Sequence, residues 1–374
     1  MAIDSVYIDN YKSIRESGFI SIKALNVLIG PNGVGKSNFI SFFKLLNSIS
    51  QKRLPSFIAE NGYADRMLHF GRKKSKYLSG GIVFRSSTGD INNRYDFVLK
   101  PDPLNGFYFE KEAGGFNDNV YGSNVYGTGS PKWSYMLLDS QGERNSGLRD
   151  HTATRFEYLR EYFDQLKVFH FHDTSDNAPL RQPAKLRDNV LLREDGSNLA
   201  AFLYLIQEQH PSNFKLIEYA VRSVAPFFER FELRPDKLNP ELIFLTWQAK
   251  ESDEYFDAGS LSDGTLRFIA QATLLLQPDP PKTIIIDEPE LGLHPYAIHK
   301  LAALMKAASA KAQIILSTQS VNLLDQFEAD DVIVVERKDN QSTFKRLNSE
   351  ELSNWVGEYS LGEMWGKNVI GGTP

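Results

Sequence analysis

The run GPNGVGKS, Gly30 to Ser37, constrains this chain more than any other stretch. It fits G-x-x-x-x-G-K-[ST] and lies between the apolar run LNVLI and the helix-patterned SNFISFFKLL. Glycines at 30, 33 and 35 permit a loop tight enough to turn successive backbone N–H groups inward, and the following helix adds the partial positive charge of its N-terminus. Such a cradle suits phosphate. Lys36 would reach the β- and γ-phosphates of a bound nucleotide, and Ser37 would offer its hydroxyl to Mg2+.

A second segment supplies the other half of such a site. In TIIIDEPE, Thr283 to Glu290, four β-branched residues make a buried strand that ends in adjacent carboxylates. Phosphoryl transfer needs charge neutralisation and a positioned nucleophile more than covalent help from the protein. Asp287 would therefore hold magnesium through water, and Glu288 would accept a proton from the attacking water.

The order of segments agrees. Short β-like runs (DSVYIDNY, GFISI, LNVLIG) precede the phosphate loop, and GGIVFRSS and RYDFVLKP follow it. The Gly- and Asn-rich GGFNDNVYGSNVYGTGSPKWS reads as loops between short strands, or as a mobile insertion, that elaborates the core between about 100 and 150. Residues 150–166 look helical, KVFHFHD looks like a strand, and two helices follow, separated by HPSN, where Ser212 would cap the second. ELIFLTWQA reads as one more strand and LRFIAQATLLLQ as an apolar helix. Strands TIIIDEPE, AQIILSTQS and DDVIVVERK then alternate with helical PYAIHKLAALMKAASA and VNLLDQF, as in a parallel sheet, and the last 35 residues read as one or two helices.

This order divides the chain into an N-terminal lobe over 1–175 with the phosphate loop, a helical lobe over 176–265, and a C-terminal lobe over 266–374. Composition sets the outer limits. The 374 residues contain no cysteine, which excludes disulfides and thiolate chemistry, and no apolar run reaches the roughly 18 residues needed to span a bilayer. The expectation is a cytoplasmic protein with no membrane contact. Lys and Arg total 42 against 47 Asp and Glu, so only local patches, GRKKSKY at 71–77 and QKRLPSF at 51–57, offer cations to DNA phosphates.

With LSDGT (Leu261 to Thr265) ahead of a helix, DEPELGLHP, and a strand ending in STQS, the sequence resembles the ABC-type ATPases of the branch that contains RecF, the SMC proteins and the OLD-family ATPases. The opening IDNYKSI, the mid-chain run DGSNLAAFLY and the closing SLGEMWGKNVIGG extend that resemblance over most of the chain. It implies an α/β P-loop head with a β-rich N-terminal part, a mostly parallel core sheet and an inserted helical lobe. It also implies ATP and Mg2+ as ligands, with Asn32, Gly33, Gly35, Lys36, Ser37 and Asn38 around the phosphates and Lys12 and Ser13 of NYKS touching the nucleotide.

In that family the signature sequence meets ATP across a dimer, so Ser262 and the backbone of Gly264 would approach a nucleotide bound by a second copy's Lys36. Leu291 to Pro295 occupies the D-loop, where His294 reads as structural. Gln319 stands at the switch position where many relatives carry histidine, and as an amide it can donate to a γ-phosphate but cannot become cationic.

No glutamine follows KVFHF at the place of the Q-loop; His170, His172 and Asp173 stand there instead. One of them replaces that residue beside magnesium, packs there, or joins the others in a metal site. The resemblance suggests a conformational switch in DNA repair or anti-phage defence. Alternatives are a subunit that gates a separate nuclease or effector chain and the nucleotide-binding subunit of a transporter.

Overall fold

The computed structural model describes residues 2–85, 91–118, 134–152, 154–352, 355 and 358–373. Two sheets share one helix. The core sheet runs in the order Gln341–Arg346, Val332–Lys338, Leu25–Ile29, Gln313–Ser317, Thr283–Asp287, Leu166–Phe169, all parallel except the outermost Gln341–Arg346. The second sheet is antiparallel and is built mainly from Ala2–Tyr11, Leu78–Arg85, Ile91–Pro101, Phe107–Asp118 and Ser134–Leu137. The phosphate-loop helix, Lys36–Ser50, fills the space between them.

Its apolar residues explain that place. Phe39, Phe42, Phe43, Leu45, Leu46 and Ile49 are fully buried, and they share one cluster with Ile8, Ile82 and Phe97 of the antiparallel sheet and with Leu28, Val168, Ile285 and Ile315 of the core sheet. The neighbouring strand residues Val27, Ile284, Ile286, Ile314 and Leu316 point to the opposite face and join a second cluster. Alternation with both faces buried is what a parallel sheet covered on two sides requires.

The second cluster continues into helices Leu199–Gln209, Pro211–Val224, Asp263–Leu276 and Pro295–Ala308, so residues on both sides of positions 175 and 265 pack into one apolar body. Among the described residues, no helix is long and apolar enough to cross a membrane.

Four local readings change. Pro211 takes the first helical position and His210 the N-cap of the Pro211–Val224 helix, so Ser212 lies inside the helix and does not cap it. ELIFLTWQA is not one strand: Leu242–Ile243 pairs with Ala184–Lys185, and Trp247–Ala249 pairs with Phe228–Phe231 in another small sheet. The C-terminal segment holds the antiparallel strand Gln341–Arg346 besides a short helix, Leu361–Gly366. Within the segment between 100 and 150, Phe107–Asp118 and Ser134–Leu137 extend the antiparallel sheet and 138–150 runs in turns; the loop reading at 119–133 lies outside the described residues.

Candidate functional site

The register of the core sheet assembles the site. Asp287 pairs with Ser317 and Ser317 pairs with Leu28, so the carboxylate strand, the switch strand and the phosphate-loop strand end side by side at one carboxyl edge. Ligands of open α/β sheets bind at that edge. The phosphate loop leaves Ile29 there and passes directly into the helix at Lys36.

Glycine is required at two of its positions. Gly30 has φ 148°, and a Cβ there would lie 2.2 Å from the Val335 carbonyl oxygen. Gly35 has φ 119°, and its Cβ would lie 2.2 Å from Ser342 Oγ and 2.7 Å from Ser13 Oγ. Backbone conformation and lack of space act together at both. Gly30→Ala is therefore expected to lower folding stability by about 2–4 kcal/mol, combining left-handed strain with overpacking against a rigid strand, and a denaturant melt measures it.

Lys36 is only 5% exposed, and its Nζ donates to the carbonyls of Gly30 at 2.5 Å and Pro31 at 3.0 Å. Burial pulls its pKa down from the usual lysine value, while Glu288, Asp287 and Glu290, in that order, oppose the shift. Ser37 and Asp287 line a common cleft of about 740 Å³, together with Lys12, Asn38, Ser41, Lys44, His170 and His172.

Magnesium keeps several of its waters and takes one or two protein oxygens beside substrate phosphates. Ser37 and Asp287 on one cleft fit that demand. The glycine cradle fits phosphate for the reasons just given.

Around the carboxylates the geometry is specific. Ser317 Oγ donates to Asp287 Oδ1, and the Gln319 amide donates to Glu288 Oε1. Glu288 sits at φ 42°, a left-handed conformation unusual for a residue with a side chain, and its N–H donates to the Ser317 carbonyl at 3.1 Å. Strain of this kind collects at functional positions.

Glu290 adds a third acid: its Oε1 accepts from Thr318 Oγ1 at 2.5 Å and from the Gln319 N–H at 3.2 Å. Burial pushes its pKa above the usual glutamate value against those hydrogen bonds. Sequence reasoning passed over Glu290, Ser317, Thr318 and Ser342. The adjacent letters of DEPE and STQS were the available signal, but their pairing depends on strand register.

The remaining candidates separate. Asn38 Nδ2 donates to Ser13 Oγ at 2.7 Å, and Ser13 also bonds Ser342 Oγ at 2.7 Å, so Ser13 braces the loop behind Gly35. Lys12 lies on the cleft, where its Nζ donates to Ser41 Oγ at 2.9 Å; burial and then Lys44 lower its pKa. Asn32 and Gly33 are exposed at the loop tip. Ser262 caps the Asp263–Leu276 helix by accepting from the Thr265 N–H at 3.2 Å, and a Cβ at Gly264 would meet the Gly292 carbonyl at 2.4 Å. Neither residue lines the cleft. His294 is the N-cap of Pro295–Ala308.

The strand before the helical lobe ends at Phe169, leaving His170, His172 and Asp173 beyond it. His172 Nε2 reaches the Asp287 carbonyl at 2.7 Å, whereas Asp173 turns to Ser175. Among the described residues, no group of three His, Asp or Glu side chains could hold a metal ion, so the trio forms no metal centre. The basic run at 71–77 is partly neutralised, because Arg72 forms a two-pronged pair with Asp65 at 2.9 and 3.0 Å, while Lys73, Lys74 and Lys76 remain exposed.

Residues 25–325 match the family described as "AAA domain, putative AbiEii toxin, Type IV TA system". The chain is 22% identical to Old nuclease of Escherichia phage P2 over 384 aligned positions, covering 93% of this chain and 61% of that protein. It therefore spans less than two thirds of that relative's length. Among solved structures, an SMC head bound to the C-winged helix domain of ScpA superposes with a TM-score of 0.63 at 16% identity, over 95% of this chain and 100% of that one. An SMC head with an extended coiled coil, bound to the C-terminal domain of ScpA derived from Pyrococcus furiosus, gives 0.59 at 14% identity over 96% and 99%.

Proposed function

The chain belongs to the AAA-domain family matched over residues 25–325 and is an ABC-type ATPase of the RecF/SMC/OLD branch; from that premise we propose that it binds and hydrolyses ATP as a conformational switch. Two copies close head-to-tail around two nucleotides. One observation carries this reading: the carboxylate strand, the switch strand and the phosphate-loop strand end side by side, which brings Asp287, Glu288 and Gln319 to the loop that carries Lys36, while Ser262 caps a separate helix.

The residues divide the work. The phosphate-loop N–H groups and Lys36 bind phosphate, with Asn32, Gly33, Gly35 and Asn38 shaping the loop and Lys12 beside it. Ser37 and Asp287 would hold Mg2+, which supplies neutralisation of phosphate charge when bound. Glu288 accepts the proton of the attacking water, held in aim by Gln319. Ser262 and the N-terminus of its helix offer donors to the γ-phosphate of the second copy. Binding energy favours the closed dimer, and loss of the γ-phosphate releases it.

The likeness to Old nuclease over 61% of that protein supports a second element of the reading: the switch gates a nuclease or another effector supplied outside these 374 residues. Anti-phage defence or DNA repair is the setting this fits, with Lys73, Lys74 and Lys76 available for salt-sensitive, sequence-independent DNA contact.

Light scattering with Ser262→Arg tests the dimer. The wild-type mass is expected to double with ATP and magnesium, whereas the variant binds ATP within about twofold of wild type and stays single. Doubling by the variant would show that the signature does not meet a second copy's nucleotide.

A further inference from the structure

Glu290 has no part in the division of work above, yet it is the best-anchored acid at the sheet edge. Its Oε1 takes two hydrogen bonds from the end of the switch strand, from Thr318 Oγ1 at 2.5 Å and the Gln319 N–H at 3.2 Å. Thr318 Oγ1 in turn accepts from the Ser320 N–H at 2.9 Å, which starts the next helical turn. The turn carrying Glu290 is fixed on its other side, where the buried Gln271 donates to the Pro289 carbonyl at 2.8 Å. Glu290 thereby ties a rigid turn to Thr318 and to the backbone of Gln319.

Gln319 has no comparable anchor of its own. Its side chain is exposed and meets Glu288 Oε1 through a single amide contact. An exposed glutamine with free rotamers spends entropy to hold one geometry, so its aim depends on where its backbone is held. Glu290 holds the Gln319 N–H, and the Leu28 carbonyl holds the Thr318 N–H at 3.0 Å.

We propose that Glu290 is the positioning residue of this site, fixing the Thr318–Gln319 turn so that the Gln319 amide meets the catalytic Glu288. The inference rests on the reading of Glu288 as the base. What Glu290 supplies is an acceptor oxygen: its Oε1 takes both hydrogen bonds, and its second oxygen is buried without a hydrogen-bond partner. A glutamine in its place keeps the acceptor and fills the same volume, whereas alanine leaves Thr318 and the Gln319 N–H unanswered.

The test is steady-state ATP turnover and a crystal structure for each variant. Glu290→Ala is expected to lower kcat by about 30-fold, within what a misplacement of about 1 Å costs, with KM for ATP changed less than about twofold. Glu290→Gln recovers most of kcat, a restoration that a simple packing defect would not show. Thr318→Val, which removes the donor from the other side at equal size, lowers kcat in the same direction and adds little to Glu290→Ala.

In the structure of Glu290→Ala, Gln319 leaves Glu288. Wild-type kcat in Glu290→Ala, equal losses in the Gln and Ala variants, or Gln319 still seated on Glu288 would each overturn the proposal. If the wild-type chain turns over no ATP, the reading of Glu288 fails, and the position of Gln319 in the variant structure still decides the role of Glu290.

Discussion

Glu288→Gln is expected to retain ATP while hydrolysing it about 10²- to 10⁴-fold more slowly than the wild-type chain, the span a positioned general base contributes. The substitution preserves shape. Glutamine carries an oxygen that can still accept from the Gln319 amide, and its backbone adopts φ 42° at the same cost as glutamate. That left-handed conformation, worth on the order of 1 kcal/mol against any residue with a Cβ, is held by the N–H donated to Ser317 O at 3.1 Å, a bond the variant keeps. Proton acceptance is removed, together with the carboxylate charge that acts on Lys36. Phosphate binding runs through Lys36 and the loop N–H groups, which Glu288 does not supply.

With hydrolysis blocked, the γ-phosphate contacts proposed to close the dimer would persist, so the mass of Glu288→Gln measured by light scattering should stay doubled in ATP and magnesium. A variant with wild-type turnover would remove Glu288 from the chemistry. Slow turnover without doubling would leave the base in place and remove the dimer. Glu290 is no substitute base in this scheme, because its free oxygen is sequestered and its bonded oxygen is engaged by Thr318.

The parts of the site visible in the sequence were those whose chemistry is local. The phosphate-loop motif was legible because its glycines, lysine and serine fall within eight consecutive positions, and because Leu25–Ile29 and Lys36–Ser50 flank it with strand and helix patterns. Asp287 and Glu288 were legible as the polar end of an apolar strand. Register was not. Which residues of STQS meet which acids of DEPE follows from Asp287 pairing with Ser317, a contact between strands with a helix between them in the chain.

Ser342 is the extreme case. It lies on an edge strand and donates to the Val34 carbonyl of the loop, so a residue 308 positions away walls the space that Gly35 must leave free. Local readings failed where two signals competed. Pro211 displaced Ser212 from the cap because a missing N–H is tolerated at the first helical position. The His170 and His172 pattern suggested a strand face, but the strand stops at Phe169, and only His172 turns toward Asp287.

Lys36→Ala is expected to abolish both ATP retention and mass doubling, the opposite pattern to Glu288→Gln. The ammonium now bonded to Gly30 O and Pro31 O is the one group of the loop that would bring a full positive charge to phosphate in the proposed function. Two charge-assisted hydrogen bonds at about 1.5 kcal/mol or more each predict ATP binding at least about 100-fold weaker, measurable by titration calorimetry. Folding should suffer little. The buried ammonium loses its own desolvation cost along with its two carbonyl bonds, and the facing acids Asp287, Glu288 and Glu290 keep the partners that hold them through Ser317, Gln319 and Thr318. These opposing terms leave a stability change of about 1 kcal/mol or less, which a denaturant melt separates from the loss of binding. A Lys36→Ala chain that still doubled with ATP would mean that closure does not need nucleotide in the loop, and the signature contact at Ser262 would then have to be explained by the protein surface alone.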